Sequence, residues 1–273
     1  MCIYSIMYEL STEVNFDYDE YKKNTTKKSG KFFVAMFVII GFLLALSFAN
    51  LFSLAMYSSG LSLLSGYDIK SNKFYTIQIE YYSDYNQARD FAQTLTIQGA
   101  AGYIYFDGGY RVLASCYTKY SEAESVIQNI KSTYSNAKVY TIDTQKITYP
   151  SNLNKSQLSA FKNVLQSMQN SINSLLEIST GFDKGDTNEQ NVHTELNTCY
   201  TNFENSLASF DQNIKGEIAI KYARFKMYVK EFGEKLAKTN TLTTQNNELS
   251  SNIKYIQLNC LISYKNALTY LSF

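Results

Sequence analysis

The chain has 273 residues, a formal net charge of +1, 24 tyrosines and no tryptophan. A charge this close to zero gives no positive field that would attract nucleic acid, so nucleic acid is not an expected partner. The four scattered cysteines and the single histidine match neither a disulfide scaffold nor the ligand spacing of a zinc site. We therefore expect no metal and no other cofactor.

The N-terminal part predicts a membrane anchor. Residues 1–31 mix acidic residues, tyrosines and lysines without a regular period, which predicts a short disordered tail. The next stretch, Phe32–Met56, carries no charge and is longer than the roughly 20 apolar residues that a transmembrane helix needs. We therefore predict a single transmembrane helix over Phe32–Met56.

The charges that flank this stretch predict its orientation. A lysine cluster between Lys22 and Lys31 precedes it, and few lysines follow it. The positive-inside bias then places the N-terminus in the cytoplasm and the C-terminal part outside the cell membrane. A cleaved signal peptide ending near Ala49 is the alternative, and it also exports the remainder. Residues 57–72, rich in Ser, Gly and Leu, are predicted to form a tether at the outer membrane surface.

Residues 73–144 contain an internal repeat, because the segment 75–88 aligns without a gap with the segment 110–123. Each copy begins with alternating apolar residues, typical of a strand, and continues with apolar residues at the i, i+3, i+4, i+7 spacing of one helical face. Each predicted helix also has a capping pattern at its start, namely Asp84 with Gln87 and Ser121 with Glu124.

Two further strands complete this unit. Tyr103–Phe106 is followed by the turn Asp107-Gly108-Gly109, which leads into the strand Tyr110–Ser115, and Lys138–Ile142 forms the last strand. The predicted order is βαββαβ. Right-handed crossovers then place both helices on one face of a four-stranded antiparallel sheet, the ferredoxin-like arrangement of an α+β fold.

Strand alternation predicts which side chains stand on the face without helices. This face is polar and aromatic, so its tyrosine rings suit the apolar faces of sugars and its amide and guanidinium groups suit sugar hydroxyls or carboxylates. A solvated face, or one covered by the helices that follow, is the alternative. The residues predicted to line it are Thr76, Gln78, Glu80, Tyr103, Tyr105, Arg111, Leu113, Lys138 and Tyr140.

The pattern of this region resembles the SPOR domain, the sporulation-related repeat. The resemblance rests on 75–79, which reads Tyr-Thr-Ile-Gln-Ile, on Gly109-Tyr110-Arg111-Val112, and on 121–123, which reads Ser-Glu-Ala. It implies binding to bacterial peptidoglycan, in particular to glycan strands without stem peptides, and membership of a group with many single-pass membrane proteins of the division septum or of sporulation. It implies glycan contact for Gln78 and Arg111. The predicted glycan-binding residues are Thr76, Gln78, Glu80, Tyr103, Tyr105 and Arg111.

The sequence departs from the usual family pattern at three places. Glu80-Tyr81-Tyr82 replaces Gly-Ser-Phe, Ser115-Cys116-Tyr117 replaces Gly-Pro-Phe, and Leu113 occupies a position where a second arginine is common. These changes leave the expected fold intact. An added acid and one cation fewer weaken the attraction for a glycan that carries carboxylates, and a domain that binds only protein is the alternative.

Residues 151–273 follow the single proline, Pro150, and show apolar positions at alternating spacings of three and four. This heptad-like spacing predicts an all-α coiled-coil or helical-bundle domain. A turn at 181–186, a capping pattern at Thr187 and Gln190, and a polar stretch at 238–244 divide it into three helices. A break near Gly216 would give four, and both possibilities remain open.

No catalytic motif emerges from the sequence. The leading hypothesis is a non-enzymatic, membrane-anchored protein that binds peptidoglycan outside the cell membrane, in cell division or sporulation. The alternative is an envelope scaffold whose helical domain binds other envelope or division proteins. Cys199 and Cys260 lie on apolar seam positions, where either a disulfide or buried free thiols would fit.

Overall fold

The computed structural model describes residues 68–149, 153–242 and 246–272. These residues all belong to one compact unit. The predicted tail, the predicted transmembrane helix Phe32–Met56 and most of the predicted tether lie outside the described residues. Among the helices that are described, none combines the length and the apolar character that a membrane crossing requires.

Six strands and seven α-helices occur in the described residues. The strands are Asp68–Ile69 (β1), Lys73–Tyr82 (β2), Tyr103–Phe106 (β3), Tyr110–Tyr117 (β4), Lys138–Asp143 (β5) and Ile147–Thr148 (β6). The helices are Tyr85–Ile97 (α1), Tyr120–Ile130 (α2), Lys155–Lys184 (α3), Glu189–Asn213 (α4), Gly216–Lys221 (α5), Ala223–Ala237 (α6) and Asn246–Leu271 (α7), and a 3-10 helix covers Lys238–Thr241.

The predicted βαββαβ unit is confirmed. Its four strands pair in the order β3-β4-β2-β5, and every pair is antiparallel. The two short strands β1 and β6, which the sequence analysis did not predict, pair with each other outside this sheet. Helices α1 and α2 cover one face, where the buried core is apolar and consists of Ile77, Ile79, Ala88, Ala92, Leu95, Val112, Ala114, Ala123, Ile127 and Ala137.

The predicted helix starts are correct in one case out of three. Asp84 caps α1, because its side chain accepts a hydrogen bond from the backbone N–H of Gln87 at 3.0 Å. The capping pattern at Ser121 is wrong, since α2 already begins at Tyr120 and its N-cap Lys119 makes no side-chain capping bond. Helix α4 is capped by Asn188 rather than by Thr187. Two polar residues spaced three apart therefore do not by themselves show which residue is the N-cap of a helix.

The C-terminal part is helical, as predicted, and the break near Gly216 exists. Helix α4 ends at Asn213, and the short helix α5 begins at Gly216, whose φ of +60° is a left-handed backbone conformation that favours glycine. Four long helices, α3, α4, α6 and α7, therefore pack around a common core. Aromatic rings fill one end of this core, where Phe161 stacks on Phe225 with ring centroids 4.9 Å apart.

The second face of the sheet packs against this bundle, so the expectation of an open face is wrong for most of its length. Phe74, Leu113 and Cys116 belong to the same buried cluster as the bundle core. The ring of Phe74 meets Tyr264 of α7 edge-on at 6.4 Å. Burial of apolar area of this kind is the main favourable term in folding, so the sheet and the bundle stabilise one another.

Polar groups also join the sheet unit to α7. Ser251 donates a hydrogen bond to the carbonyl oxygen of Ala100 at 2.7 Å, and Lys254 donates one to the carbonyl oxygen of Gly99 at 2.8 Å. The loop after α1 loses contact with water at this junction, and these two bonds give its carbonyl oxygens protein donors in place of water. The described cysteines, Cys116, Cys199 and Cys260, are buried free thiols.

Candidate functional site

A β-bulge decides which side chains of β2 reach the bundle side of the sheet. Gln78 pairs with Leu113, but Glu80 pairs with Val112 and Tyr81 pairs with Arg111, so β2 holds one residue more than β4 over this interval. An extra residue reverses the alternation of side chains beyond it. Tyr81, and not Glu80, therefore stands on the same face as Arg111.

Arg111 is the centre of a polar and aromatic cluster at this end of the sheet. Its guanidinium carbon lies 4.4 Å from the centroid of the Tyr140 ring and 5.0 Å from that of the Tyr81 ring. Its Nη1 donates to Oε1 of Gln78 at 2.7 Å, while Nε and Nη2 donate to Oδ2 of Asp107 at 3.2 and 3.1 Å. Two rings and two acceptors therefore hold the guanidinium in one orientation. We call these five residues the Arg111 cluster.

The charges in the Arg111 cluster are matched to one another. The Tyr140 hydroxyl donates to Oδ2 of Asp107 at 2.7 Å. This hydrogen bond, followed by those from Arg111, lowers the pKa of the Asp107 carboxyl below its usual value. Burial, together with the hydrogen bond to Asp107, raises the pKa of Tyr140 to about 12. At neutral pH the carboxyl is therefore ionised and the phenol is neutral.

The loop before β4 is shaped to receive the ring of Tyr81. The Tyr81 hydroxyl donates to the carbonyl oxygen of Gly108 at 3.0 Å, and the ring lies against Gly109. A Cβ at position 109 would overlap this ring. Glycine at this position lets the Tyr81 ring keep its place, so the hairpin sequence Asp107-Gly108-Gly109 serves the cluster as well as the turn.

The structure brings some of the predicted site residues together and separates others. Tyr105 and Arg111 lie in or beside the cluster, with the ring of Tyr105 6.0 Å from that of Tyr140. Gln78 is only 2 % exposed and reaches Arg111 rather than solvent. Thr76 is fully buried, and its hydroxyl donates to the carbonyl oxygen of Tyr140 at 2.7 Å.

The other two predicted residues lie away from the cluster. Tyr103 packs between the sheet and α7, where its ring centroid is 5.3 Å from that of Tyr255. The placement of Glu80 on this face is wrong, because the bulge turns it to the helix-covered side. There Glu80 accepts a hydrogen bond from Nδ2 of Asn136 at 2.8 Å. Burial, and after it the charge of Glu80, raises the pKa of Tyr82.

The predicted site omitted Tyr81, Asp107 and Tyr140. Tyr140 lies on this face, as predicted, although it is not among the predicted glycan-binding residues. Tyr81 could not be selected by strict alternation, because the bulge leaves no mark in the local sequence. Asp107 had a signal, since the first residue of a hairpin turn lies close to the side chains that begin the next strand, and Arg111 is the second residue of β4. Most of the face is covered, and the cluster lies at the end of it that retains access to solvent, together with the exposed Lys138.

No group of three or more His, Cys, Asp or Glu side chains that could hold a metal ion occurs in the residues described. The three buried thiols are not suited to nucleophilic chemistry, because burial raises the pKa of each. What the Arg111 cluster offers is hydrogen-bond donors beside flat aromatic surfaces. This arrangement is suited to binding a polar ligand with apolar faces.

Comparison with known proteins agrees with this geometry. Residues 71–141 match the family model described as SPOR domain. The comparison with curated proteins and the comparison with solved structures each find no match. The matched segment contains α1, α2, the strands of the main sheet up to Thr141, and the whole Arg111 cluster. Residues 71–141 of this chain are therefore a SPOR domain.

Proposed function

We propose that this chain is a non-catalytic protein that binds the glycan strands of peptidoglycan through its SPOR domain. SPOR domains bind peptidoglycan, typically in cell division. The predicted helix Phe32–Met56 would anchor the protein in the cell membrane, with the SPOR domain and the bundle on the outer side. Cell division, or sporulation, is the setting in which this protein would act.

The observation that carries the proposal is the position of Arg111 between two tyrosine rings at the uncovered end of the sheet. Tyr81 is 43 % exposed, so part of its ring surface is available to stack on the apolar face of a sugar. The Arg111 side chain is 18 % exposed and directs planar donors toward the same region. In this proposal Gln78 and Thr76 position the site, because both are too buried to touch a polymer.

A second candidate function is an envelope scaffold whose helical bundle binds other envelope or division proteins. The observation that favours it is the cover over the sheet, because α7 packs against most of the face that was predicted to bind glycan. A SPOR domain with so little free surface could serve as a platform for the bundle. The two candidates differ in whether the protein itself binds the cell wall.

Sedimentation with purified sacculi separates the two candidates. The full chain, kept in a mild detergent, is expected to pellet with sacculi, and the double variant Tyr81→Ala with Arg111→Gln is expected to bind at least tenfold more weakly. Tyr120→Ala is the matched control, because Tyr120 is a comparably exposed tyrosine, at 53 %, on helix α2 at the other side of the sheet. A wild-type chain that stays in the supernatant would refute glycan binding and favour the scaffold. Release of muropeptides would contradict the non-catalytic assignment.

Localisation tests the cellular part of the proposal. A fluorescent fusion to the full chain is expected to concentrate at the septum of dividing or sporulating cells. The double variant is expected to spread evenly around the membrane, because it keeps the predicted anchor but loses the wall contact. Septal enrichment that survives the double substitution would show that another part of the protein determines its position.

A further inference from the structure

The bundle contributes a cation to the surroundings of the Arg111 cluster. Lys265 of α7 donates a hydrogen bond from Nζ to Oη of Tyr105 at 3.0 Å, and Nζ lies 5.5 Å from the centroid of the same ring. The Tyr105 ring in turn contacts Tyr140, which holds Arg111. The ammonium group is also near enough to Asp107 for its charge to lower the pKa of that carboxyl. The site therefore includes a residue from outside the matched SPOR segment.

The charges at this end of the sheet leave an excess of positive charge. Arg111 and Lys265 carry one positive charge each, and Asp107 supplies one negative charge. Lys138, which pairs with Gln78 across β2 and β5 and is exposed, adds a further cation on the same face. Glu80 does not offset this excess on that face, because the bulge places it on the other side of the sheet. The site is therefore suited to an anionic ligand.

Donor groups remain free after the internal hydrogen bonds are made. A guanidinium has five N–H bonds and an ammonium has three. Gln78 and Asp107 take three of those on Arg111, and Tyr105 takes one on Lys265. The remaining N–H bonds of the two groups have no acceptor among the described residues, so each cation keeps donors for a ligand.

We propose that Lys265 is the second cation of a composite binding site, formed jointly by the SPOR domain and the bundle, that selects saccharides carrying a carboxylate over neutral ones. The proposal rests on the proposed function, glycan binding at the Arg111 cluster. A carboxylate between a guanidinium and an ammonium receives charge-assisted hydrogen bonds from both. The tyrosine rings contact the sugar face, and N-acetylmuramic acid is a sugar that combines these features. Bundle and sheet then act together, and the bundle does not have to move away for binding.

Binding of soluble glycans to the full chain tests this proposal. The probes are a peptide-free strand of alternating N-acetylglucosamine and N-acetylmuramic acid, and an uncharged chito-oligosaccharide of equal length. We expect the wild type to prefer the carboxylated strand about tenfold or more at low salt, and to lose part of that preference when salt screens the charges. Lys265→Met keeps the aliphatic stem over Tyr105 but removes the charge, and it is expected to reduce the preference about three- to tenfold.

Three further variants make the outcome decisive. Lys265→Arg is expected to retain the preference, and Lys265→Gln is a second neutral variant if Lys265→Met is poorly folded. Lys131→Met is the matched control, since it removes an exposed charge at the end of α2, on the helix-covered side. If the wild type binds and Lys265→Met keeps the full preference, the composite site is refuted while glycan binding stands. If the wild type binds neither glycan, both the composite site and the proposed glycan binding are refuted.

Hydrogen exchange gives an independent readout. Amide protons of α7 around Lys265 and of β4 around Arg111 are expected to exchange more slowly when the carboxylated glycan is bound, because the ligand contacts both elements. Faster exchange along α7 on addition of the glycan would show that the bundle moves away from the sheet. That result would overturn the composite site even if glycan binding were retained.

Discussion

Truncation of Leu113 tests whether the sheet and the bundle unfold as one unit. Leu113 is fully buried and lies in the cluster that contains the bundle core. Leu113→Ala removes apolar contacts and leaves a cavity between sheet and bundle, which costs about 2–5 kcal/mol of unfolding free energy for a buried leucine. At roughly 2–4 °C per kcal/mol for a domain of 150–250 residues, a loss of about 3 kcal/mol lowers the melting temperature by about 6–12 °C.

The assay is urea and thermal unfolding of the full chain, followed by circular dichroism at 222 nm, with hydrogen exchange resolved by segment. The loss of stability is expected in amides of α4 and α6 as well as in β4. Ile97→Ala is the control, because Ile97 is 77 % exposed and its truncation should change the unfolding free energy by less than about 0.5 kcal/mol. Exchange in α4 and α6 that stays at the wild-type rate while β4 loosens would refute a shared cooperative unit.

Three further outcomes follow from individual groups. The Asp107 carboxyl is expected to titrate below its usual pKa of about 3.9 in an NMR experiment, and Tyr140→Phe should move this midpoint upward. Because the pKa is lowered in the folded state, the hydrogen bonds that Tyr140 and Arg111 donate to the ionised carboxyl stabilise the fold above about pH 4, and this contribution disappears as the pH falls through the folded-state pKa. A titration midpoint that is unchanged in Tyr140→Phe would contradict the assignment. Gly102→Ala should lower the free energy of unfolding, measured in urea, by more than about 2 kcal/mol, because φ is +57° and the new Cβ would lie 2.5 Å from a carbonyl oxygen of α1. Gly108→Ala is the control, since φ is also positive there but a Cβ would have free space, and it should cost about 1–2 kcal/mol. The Cys260 thiol should resist alkylation until urea unfolds the chain, because burial raises the pKa of this thiol. Peptide mass spectrometry measures the labelling, and rapid labelling of the native protein would contradict the prediction.

The sequence was sufficient to predict the sheet because its signals are local. The repeat, the alternation in 75–79 and the turn at Asp107-Gly108-Gly109 specify strands, helices and their order without reference to distant residues. The strand Tyr103–Phe106 was predicted with its observed bounds. The break near Gly216 was likewise detectable, because a glycine in a long helical pattern marks a weak point.

The cover over the sheet was harder to predict, since it depends on contacts between residues far apart in sequence. Thr76 and Gln78 are polar and suggested a solvated face, but both are buried. The signal for this cover lies in α7, where Leu258, Leu261 and Leu268 are buried although they lie outside the heptad-like seam that contains Cys260. A helix that is apolar on several sides is enclosed by partners on several sides. This pattern identifies α7 as the helix between the bundle core and the sheet.

The shared core explains why a lysine so distant in sequence can serve the SPOR domain. Lys265 follows Tyr264, which is almost completely buried and packs edge-on against Phe74 of β2. Because this contact fixes α7 against the sheet, the ammonium group stays beside Tyr105 and does not have to be ordered when a ligand arrives. A cation that is already in place loses less conformational entropy on binding than a free lysine side chain would. Covering the face thus removes area that could contact glycan, and in exchange it holds a second cation where the remaining site can use it.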